Sequence, residues 1–499
     1  MDNLIESMIE SILVHCNDWI LKDEQDNDVI IDPIDNKVIG AHYALSHFAS
    51  AMCIIGNKKN EPEIENIGIK LLKGLLNRWK TDSMYYDFHN DFNNFALCVL
   101  AKFWEEQSIS KNTDLYVQLK DIIMNTPDSR HDTVNWIPMR IFVNKKRFEL
   151  TGDKKYQEKI NYLKKRIFSA INHDGYIEDR LPKGVSYNLQ YNVATLSLLA
   201  FLNKYGEDFY LDRAFYALKN AVDPNGDINY FGRGCNQVFC WGPWIYLLKI
   251  TNQKNMYNNA VNYLYERLPC MLKNNNLLLN QFSGTEKYMW WDYHYVSVYI
   301  AHLLFWLVMT RYENHKLFIS DGIINTKWVS GINVFKSDRY FIVKFDGRKE
   351  YLCEKGPNIV NLWTKRNGTI FKGSFGPWLG AFGNKYGSNS VVLRNYFGPI
   401  CVKKTLKSYR LIHIFPQIDI KEIDNCIIIN FTMPKKKNSI FNLPIFKEAS
   451  SVINNIEVFA DNQAVRLVSC GTIKNQYDEL ILYESNLYKV KVWSVKILF

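Results

Sequence analysis

The sequence lacks the features that mark several large classes of protein. No apolar run among its 499 residues reaches the roughly 18 that span a bilayer, and the closest, Tyr295 to Thr310, is interrupted by His302. The N-terminus, Met1 to Glu10, carries acidic residues and has neither the basic start nor the unbroken apolar stretch of a secretory signal. The ten cysteines are scattered, none forms a CxxC pair, and no histidine flanks the nearest pair at zinc-finger spacing. We therefore expect a cytoplasmic chain with reduced thiols and no membrane span, which would be secreted only if a signal peptide has been removed.

The composition is that of a globular protein with many aromatic residues. Hydrophobic residues make up 47% of the chain and charged residues 22%, which excludes a disordered or fibrous protein. The net charge of +10 favours polyanionic partners, but the lysines are dispersed and only Lys435–Lys437 forms a run. Without a compact basic patch, a zinc motif or an RNP-like strand, nucleic-acid binding is not predicted. The aromatic residues, 14% of the chain, belong either to the core or to a groove that stacks flat ligands such as sugars or bases.

The first three-fifths of the chain has the apolar spacing of helices. Twelve helices of roughly 15 to 20 residues are predicted. Their bounds are Leu4–Leu21, Ala41–Ile55, Glu63–Trp79, Asn93–Glu106, Asp114–Met124, Val134–Leu150, Lys155–Ile171, Val193–Tyr205, Leu211–Ala221, Gln237–Ile250, Met256–Leu272 and Tyr293–Arg311. A helix pair repeated every 40 to 60 residues is typical of a solenoid or of a closed toroid of helical hairpins.

After Arg311 the apolar spacing changes to the period of two that strands show. Arg339 to Phe345 and Tyr488 to Trp493 are examples. The sequence thus predicts an α+β multidomain fold, with an N-terminal (α/α) toroid of about six helical hairpins at 1–315 and a C-terminal antiparallel β-sandwich at 316–499. No low-complexity linker separates them, so we expect the two domains to pack together.

A stretch rich in Asp, Asn and His, Tyr85 to Phe95, stands directly before an apolar helix. A single residue, Asp91 or Asn93, is enough to cap that helix. The stretch nevertheless holds six such residues in eight positions. It is therefore either a capping segment or a functional site, and both interpretations stay open.

A second cluster runs from Asn172 to Arg180 and from Ser186 to Asn192. Tyr187 and Tyr191 are four residues apart, so both phenols share one face if the helix has begun there. Two core or rim tyrosines are the alternative. A tyrosine that takes a proton from carbon needs a nearby cation, which depresses its high intrinsic pKa.

A third cluster, Asp223 to Gln237, carries Arg233 between two glycines that allow a close backbone approach to a ligand. The forked guanidinium suits a sugar carboxylate, although it would equally tie down a loop through backbone carbonyls. The Gly-x-Gly element is not a dinucleotide fingerprint, because neither a third glycine nor a preceding strand is present.

A fourth cluster, Tyr288 to Tyr295, contains adjacent tryptophans. Trp290 and Trp291 are costly to expose unless a ligand or the second domain covers them. His294, close to Asp292, is either a proton-transfer group or a buried interface histidine.

The sequence resembles the heparinase II/III and alginate lyase group of polysaccharide lyases. The resemblance rests on helix pairs followed by strands, on an Asn-Asn pair before a helix, and on the later Asp-Gly, Tyr, Arg and aromatic-His stretches. As architecture the resemblance covers nearly the whole chain, and as motif it rests on these short stretches. It implies an enzyme that cleaves a uronic-acid-containing acidic polysaccharide by β-elimination. No metal or organic cofactor is required, and the sequence offers no convincing ligand set for one. The oligomeric state is not predicted.

In that group an Asn, a Tyr, a His and commonly an Arg act on the uronic acid. The catalytic residues that the resemblance implies here are Asn94, Tyr187 or Tyr191, Arg233 and His294, with His89 added because Phe95 stands where several relatives have a histidine. The predicted substrate-binding residues are Asn90, Asn93, Asn188, Gln190, Asn236, Gln237, Trp241, Trp290, Trp291 and Tyr293.

The chemistry of β-elimination agrees with these residue types. The charge of the uronate carboxylate opposes removal of the C5 proton, and Asn and Arg donors on the carboxylate offset that charge. A Tyr deprotonated beside Arg takes the proton, and the same Tyr or a His protonates the leaving O4.

Two other functions remain open. A glycoside hydrolase on the same helical toroid needs two carboxyl groups facing the scissile bond. The candidate acids are Asp87, Asp91, Asp174, Glu178, Asp179 and Asp292. A non-catalytic protein that binds an acidic polymer would keep the aromatic groove and the basic surplus but make no product.

Overall fold

The structure is a computed structural model of the chain. It describes residues 1–38, 42–81, 89–107, 114–129, 133–172, 175–181, 184–186, 188–232, 234–279, 295–319, 332–346, 357–373, 397–400 and 416–499. In this part of the chain twelve α-helices precede two antiparallel sheets, which confirms the predicted change from helices to strands.

The helices alternate along the chain between fully and partly buried. Their bounds are α1 (Asp2–Cys16), α2 (Ala44–Lys59), α3 (Pro62–Thr81), α4 (Asn90–Glu106), α5 (Asp114–Asn125), α6 (Ile137–Thr151), α7 (Lys154–Ala170), α8 (Leu189–Lys204), α9 (Asp212–Ala221), α10 (Trp241–Ile250), α11 (Lys254–Lys273) and α12 (Val296–Arg311). In α12 every residue from Val296 to Val308 is buried, whereas α7 buries only Ile160, Leu163, Ile167 and Ala170, a single stripe at helical spacing. The even-numbered helices therefore form an inner layer and the odd-numbered helices an outer one.

The inner layer closes on itself. Helix α2 packs against α4, α4 against α6, α6 against α8, α8 against α10 and α10 against α12, and α12 packs against α2. We call these six helices the inner ring. Outer helices join them: at the end of α6, for example, Gly152 takes the left-handed conformation (φ +69°) and the Asp153 side chain accepts a hydrogen bond from Lys155 N at 3.0 Å, which starts α7.

Several helix boundaries differ from the prediction. The helix predicted over Leu4–Leu21 ends at Cys16, because a 3₁₀ turn and a strand follow it. Helices α4 and α8 begin three or four residues earlier than predicted, at Asn90 and Leu189. The residues at those positions are polar, so the sequence there looks like a loop. In the structure these polar residues form the first turns of buried helices.

The strands form two small sheets within the helical region and two larger sheets after it. Their bounds are β1 (Ile20–Lys22), β2 (Asp28–Asp32), β3 (Lys37–Val38), β4 (Asp179–Leu181), β5 (Gly184–Ser186), β6 (Ile332–Lys336), β7 (Tyr340–Asp346), β8 (Pro357–Thr364), β9 (Gly368–Lys372), β10 (Gly398–Ile400), β11 (Gln417–Ile423), β12 (Cys426–Phe446), β13 (Ile456–Ala460), β14 (Gln463–Ala464), β15 (Val468–Lys474) and β16 (Glu479–Leu498). Strands β1–β3 and the β4–β5 hairpin were not predicted. The first larger sheet has the order β6-β7-β8-β9, and the second is built on the long antiparallel pair β12–β16, with β10 and β11 beside β12 and β13 and β15 beside β16.

The four-stranded sheet lies between the helices and the second large sheet. In β7, Phe341, Val343 and Phe345 belong to the apolar core shared with the helices, while Ile342 belongs to the core shared with β12 and β16. This alternation follows from the period of two along a strand. The four-stranded sheet therefore packs directly against the helices, as expected from the absence of a low-complexity linker. No helix among the described residues is long and apolar enough to cross a membrane.

A buried ion cluster also joins the helical region to the strands. Lys372 Nζ in β9 lies 3.0 Å from Asp223 Oδ2 and 2.9 Å from Asp227 Oδ2, and the Tyr477 hydroxyl donates to Asp227 Oδ2 at 2.6 Å. Burial lowers the pKa of Lys372, but the two carboxylates raise it by more, so the ammonium stays charged. One cation thus holds two carboxylates of a helical-region loop against the sheet.

We expect Lys372→Met to lower the free energy of unfolding by about 3–5 kcal/mol, because it leaves two carboxylates buried without their cation. Urea unfolding followed by tryptophan fluorescence measures the change. Lys447→Met is the matched control, since Lys447 forms an exposed pair with Glu479 at 2.9 Å and its loss should cost less than about 1 kcal/mol. Equal midpoints for the two variants would show that the cluster does not stabilise the contact.

Candidate functional site

One end of the inner ring is surrounded by aromatic side chains from the segments where the inner helices begin. We call them the aromatic rim: His42, His89, Trp136, Tyr191, Phe239, Tyr295 and Tyr299. The His42 ring centroid lies 4.1 Å from that of His89 and 4.4 Å from that of Tyr295. The His89 ring lies 5.5 Å from Trp136. The starts of α2, α4, α6 and α12 therefore meet at this end.

The other half of the rim is also continuous. Phe239, in the 3₁₀ turn before α10, has its ring centroid 5.3 Å from that of Tyr299 and 6.4 Å from that of Tyr191. Tyr295 and Tyr299 are 6.5 Å apart. All six inner helices thus begin at the same end of the ring, and we call this end the mouth.

The described part of the predicted Asn-rich stretch, residues 89–95, contains the N-terminal turns of α4 at the mouth. The carbonyl of His89 accepts hydrogen bonds from the backbone N–H groups of Phe92 and Asn93 at 3.1 and 3.2 Å, so the helix begins directly after His89. Asn90 and Asn94 are buried behind it, and the Asn94 Oδ1 has no hydrogen-bond partner among the described residues. These amides lie in a region of low dielectric, where a hydrogen bond is stronger than in water.

Asn93 connects two histidines of the rim. Its Nδ2 donates to the carbonyl oxygen of His42 at 3.4 Å and to that of His89 at 3.3 Å. The two carbonyls belong to the residues whose imidazole rings are stacked. Asn93 therefore fixes the relative position of the two rings, and its predicted contact with substrate stays a prediction.

Asp91, a candidate acid, is engaged in a buried ion pair. Its Oδ2 lies 2.8 Å from Arg140 Nε, and its Oδ1 accepts a hydrogen bond from Ser129 N at 3.2 Å. Burial raises the pKa of Asp91 to about 7, while the Arg140 guanidinium acts in the opposite direction. This carboxylate joins α4 to α6 through a buried ion pair.

The second and third predicted clusters lie against each other. Asn188 caps α8, since its Oδ1 accepts a hydrogen bond from Gln190 N at 2.9 Å. A Cβ atom on Gly232 would lie 2.7 Å from Asn188, and one on Gly234 would lie 2.2 Å from the Gln190 side chain. The residues on both sides of Arg233 are thus in contact with the start of α8.

The segment after Arg233 is held from two directions. The Asn229 Nδ2 donates to the carbonyls of Gly234 and Gln237 at 2.7 and 3.0 Å. Asn236, with φ +58°, donates through Nδ2 to the carbonyl of Gln476 at 2.7 Å. Asn236 and Gln237 are buried at the start of α10, where Asn236 links this loop to the C-terminal strands.

Trp241, the first residue of α10, is fully buried. Its ring is parallel to that of Tyr263, with centroids 4.4 Å apart, and the guanidinium carbon of Arg267 lies 3.6 Å from the Tyr263 centroid on α11. This packing joins the inner helix to its outer partner. Its predicted substrate contact is untested.

Six residues of the predicted lyase site lie outside the described residues: Tyr187, Arg233, Trp290, Trp291, Tyr293 and His294. Three of the candidate hydrolase acids, Asp87, Asp174 and Asp292, lie outside them as well. Of the other lyase-site residues, His89, Asn90, Asn93, Asn94, Asn188, Gln190, Tyr191, Asn236, Gln237 and Trp241 all belong to the starts of α4, α8 and α10. No three His, Cys, Asp or Glu side chains among the described residues are grouped to hold a metal ion.

Sequence reasoning did not identify several residues of the mouth. His42 was included in a predicted helix that starts at Ala41, and Trp136 was placed within the predicted sixth helix. Both stand directly before an inner helix, which is the pattern that marked the other clusters. The signal that could have identified His42 and Trp136 is a polar residue next to an aromatic one directly before an apolar helix.

A small cavity lies on the axis of the inner ring, below the rim. His47 and His302 both line it, and their ring centroids are 5.5 Å apart. Burial lowers the pKa of His47 to about 3 and also lowers that of His302, so both rings are neutral. The Phe239 ring of the rim stacks on His302 at 4.4 Å.

No protein-family model and no curated protein sequence matches this chain. Among solved structures, it is similar to a family 76 glycoside hydrolase from a bovine Bacteroides thetaiotaomicron strain, with 10% identity over 61% of this chain and 77% of that one and a TM-score of 0.43. It is also similar to an alpha-1,6-mannanase from Salegentibacter sp. HEL1_6, with 10% identity over 61% and 98% and a TM-score of 0.41. A polysaccharide lyase matches with 13% identity over 62% and 98% and a TM-score of 0.39. These similarities are too low to assign an activity.

We expect Asp91→Asn to lower the free energy of unfolding by about 3–5 kcal/mol at pH 8, where the carboxyl is ionised, because the change removes one partner of the buried Asp91–Arg140 ion pair. Urea unfolding measures the effect. The control is Glu457→Gln, which removes an exposed pair with Lys496 at 3.0 Å and should cost less than about 1 kcal/mol. A loss no larger than that of the control would contradict the role given to the Asp91–Arg140 pair.

Acid should destabilise the protein partly through His47. The pKa of His47 is lower in the folded protein than in the unfolded chain, so the unfolded chain binds a proton first as the pH falls. The free energy of unfolding is therefore fully present above about pH 6.5 and decreases below it. Between pH 7 and pH 5 the wild type should lose about 2 kcal/mol more than His47→Phe, measured by urea unfolding at both values. A pH-independent difference for His47→Phe would refute the assignment of a buried neutral ring.

Proposed function

We propose that the inner ring and its outer helices form the (α/α) toroid predicted for residues 1–315, and that the two larger sheets form the β-sandwich predicted for 316–499. The cyclic packing of α2 through α12 supports the toroid. The core shared by β7, β12 and β16 supports the sandwich. A toroid of this kind has two ends, and the aromatic rim distinguishes one of them.

We further propose that the chain is a polysaccharide lyase that acts at the mouth on an acidic polysaccharide containing uronic acid. The observation that carries the proposal is the chemical character of the mouth: imidazoles, phenols and amides converge there, and the nearby carboxylate Asp91 is occupied by Arg140. Rings such as those of the rim offer flat apolar faces to sugars. The basic surplus of the chain favours an acidic polymer.

The roles follow from the barrier that the reaction must overcome. Tyr191, with Tyr187 as the other candidate, takes the C5 proton. Asn94 and Arg233 donate to the uronate carboxylate and stabilise the charge that develops when the proton leaves. Protonation of the leaving O4 then comes from the phenol or from His89 or His294. The product carries a C4–C5 double bond, so the proton that leaves C5 balances the one delivered to O4.

Two features of the described residues support this assignment of roles. Tyr191 is half-buried on the first turn of α8, beside the loop that carries Arg233. His89 is half-buried and stacked on His42, which orients its ring without removing it from the mouth. A base needs a defined position, and both side chains have one.

The test is a panel of acidic polysaccharides, including alginate, heparin-type, chondroitin-type and hyaluronate chains, assayed by the ultraviolet absorbance of unsaturated uronate. We expect at least one to yield unsaturated product. On that substrate Tyr191→Phe or Tyr187→Phe should reduce turnover by about 10²–10⁴-fold, because the proton-transfer group is lost. Tyr210→Phe, at a phenol exposed to solvent far from the rim, is the matched control and should keep the wild-type rate.

Three other outcomes of this assay would each contradict the proposal. New reducing ends without unsaturated product would identify a hydrolase. Saturable binding of a polymer with neither product would identify a non-catalytic binding protein. Wild-type turnover in both phenylalanine variants would show that neither phenol is the base.

A further inference from the structure

The cavity below the rim is lined by four polar side chains among apolar ones. They are His47 on α2, Asn135 in the turn before α6, and His302 and Trp306 on α12. The remaining lining side chains are apolar and come mostly from α4, α6, α8 and α10. Three segments of the inner ring therefore direct polar groups toward its axis, where an all-apolar core would be expected.

The tautomer of His47 follows from its surroundings. Its Nδ1 lies 3.0 Å from the carbonyl oxygen of Tyr43, which only accepts hydrogen bonds. The other neighbour of Nδ1 is Ser46 Oγ at 3.3 Å, which donates its own proton to the Tyr43 carbonyl at 3.0 Å and so acts as an acceptor toward Nδ1. We therefore assign the ring proton to Nδ1. Because the ring is neutral, its Nε2 is an acceptor with a free lone pair.

The four side chains present three acceptors and two donors among their buried hydrogen-bonding atoms. Within the described residues no partner exists for His47 Nε2, for either ring nitrogen of His302, for Trp306 Nε1 or for Asn135 Oδ1. His47 Nε2 and Asn135 Oδ1 are acceptors, Trp306 Nε1–H is a donor, and neutral His302 supplies one donor and one acceptor. Leaving such groups unpaired in a core costs about 1–3 kcal/mol each.

The cavity has the size of one small polar molecule. Its volume is about 10 Å³, close to the least that holds a single water. A water molecule donates two hydrogen bonds and accepts two, and buried waters in proteins typically make about three. The available atoms supply both the donors and the acceptors that such a molecule requires.

We propose that this cavity is a binding site for one buried water molecule, which links His47, His302 and the neighbouring Trp306 or Asn135. The water connects α12 to α2 where the inner ring closes, directly under the aromatic rim. An apolar occupant would leave the same five atoms unpaired. This inference does not depend on the proposed function.

The direct test is a high-resolution crystal structure of the full chain. We expect a density peak within hydrogen-bond distance of His47 Nε2 and of one His302 nitrogen. A cavity without density, or one filled by a shift of its apolar side chains, would overturn the proposal.

A second test uses the sign of a stability change. His302→Phe keeps the ring but removes both nitrogens. If a water is bound, the variant deprives it of partners and the urea midpoint at pH 7 falls; if the site is dry, the variant removes two unpaired polar atoms and the midpoint rises. Met139→Leu, a volume-conserving change in the same lining, is the control and should shift the midpoint little. If the histidine variant does not fold, the density in the wild type decides.

Discussion

The packing of α12 against α2 is the contact on which the mouth depends. It joins the last inner helix to the first, across more than half of the chain, and brings His42 next to Tyr295 and Tyr43 within 6.0 Å of His302. A second link is polar: Asp32 Oδ2, at the end of β2, accepts a hydrogen bond from Ser297 N at 3.0 Å at the start of α12. Without this closure the six helix starts would form an open row instead of a rim.

The closure of the inner ring also explains why the polar residues at the helix starts can have both a structural and a functional role. The backbone N–H groups at a helix start need acceptors, and at α8 the Asn188 side chain supplies one. Because all six starts meet at one end, the amides and imidazoles of these segments and the Asp91–Arg140 ion pair lie close to one another there. Their mutual hydrogen bonds, such as those of Asn93 to His42 and His89, hold the rings in place before any ligand arrives.

The sequence was sufficient for the elements whose signal is local. Apolar periodicity predicted all twelve helices and the change to strands, since each pattern lies within one segment. It misplaced the starts of α4 and α8, because buried polar first turns such as Asn90 resemble loops. The neighbours of His47 and His302 were not predictable, because they lie 255 positions apart and meet only when the ring closes. The predicted lyase residues that can be located share one end, but the roles given to them rest on chemistry that no contact in the structure tests.

In the part of the chain that the structure describes, the C-terminal strands contact the mouth through the loop of residues 223–237. Residues 223–237 are fixed at one end by the Lys372 cluster and at the other by the hydrogen bond from Asn236 to the Gln476 carbonyl. Between these points the backbone of Gly232 and Gly234 contacts Asn188 and Gln190 at the start of α8. The position of the loop relative to α8 therefore depends on contacts with β9 and with the segment before β16. Contacts made by the strands therefore help to position this loop at the mouth.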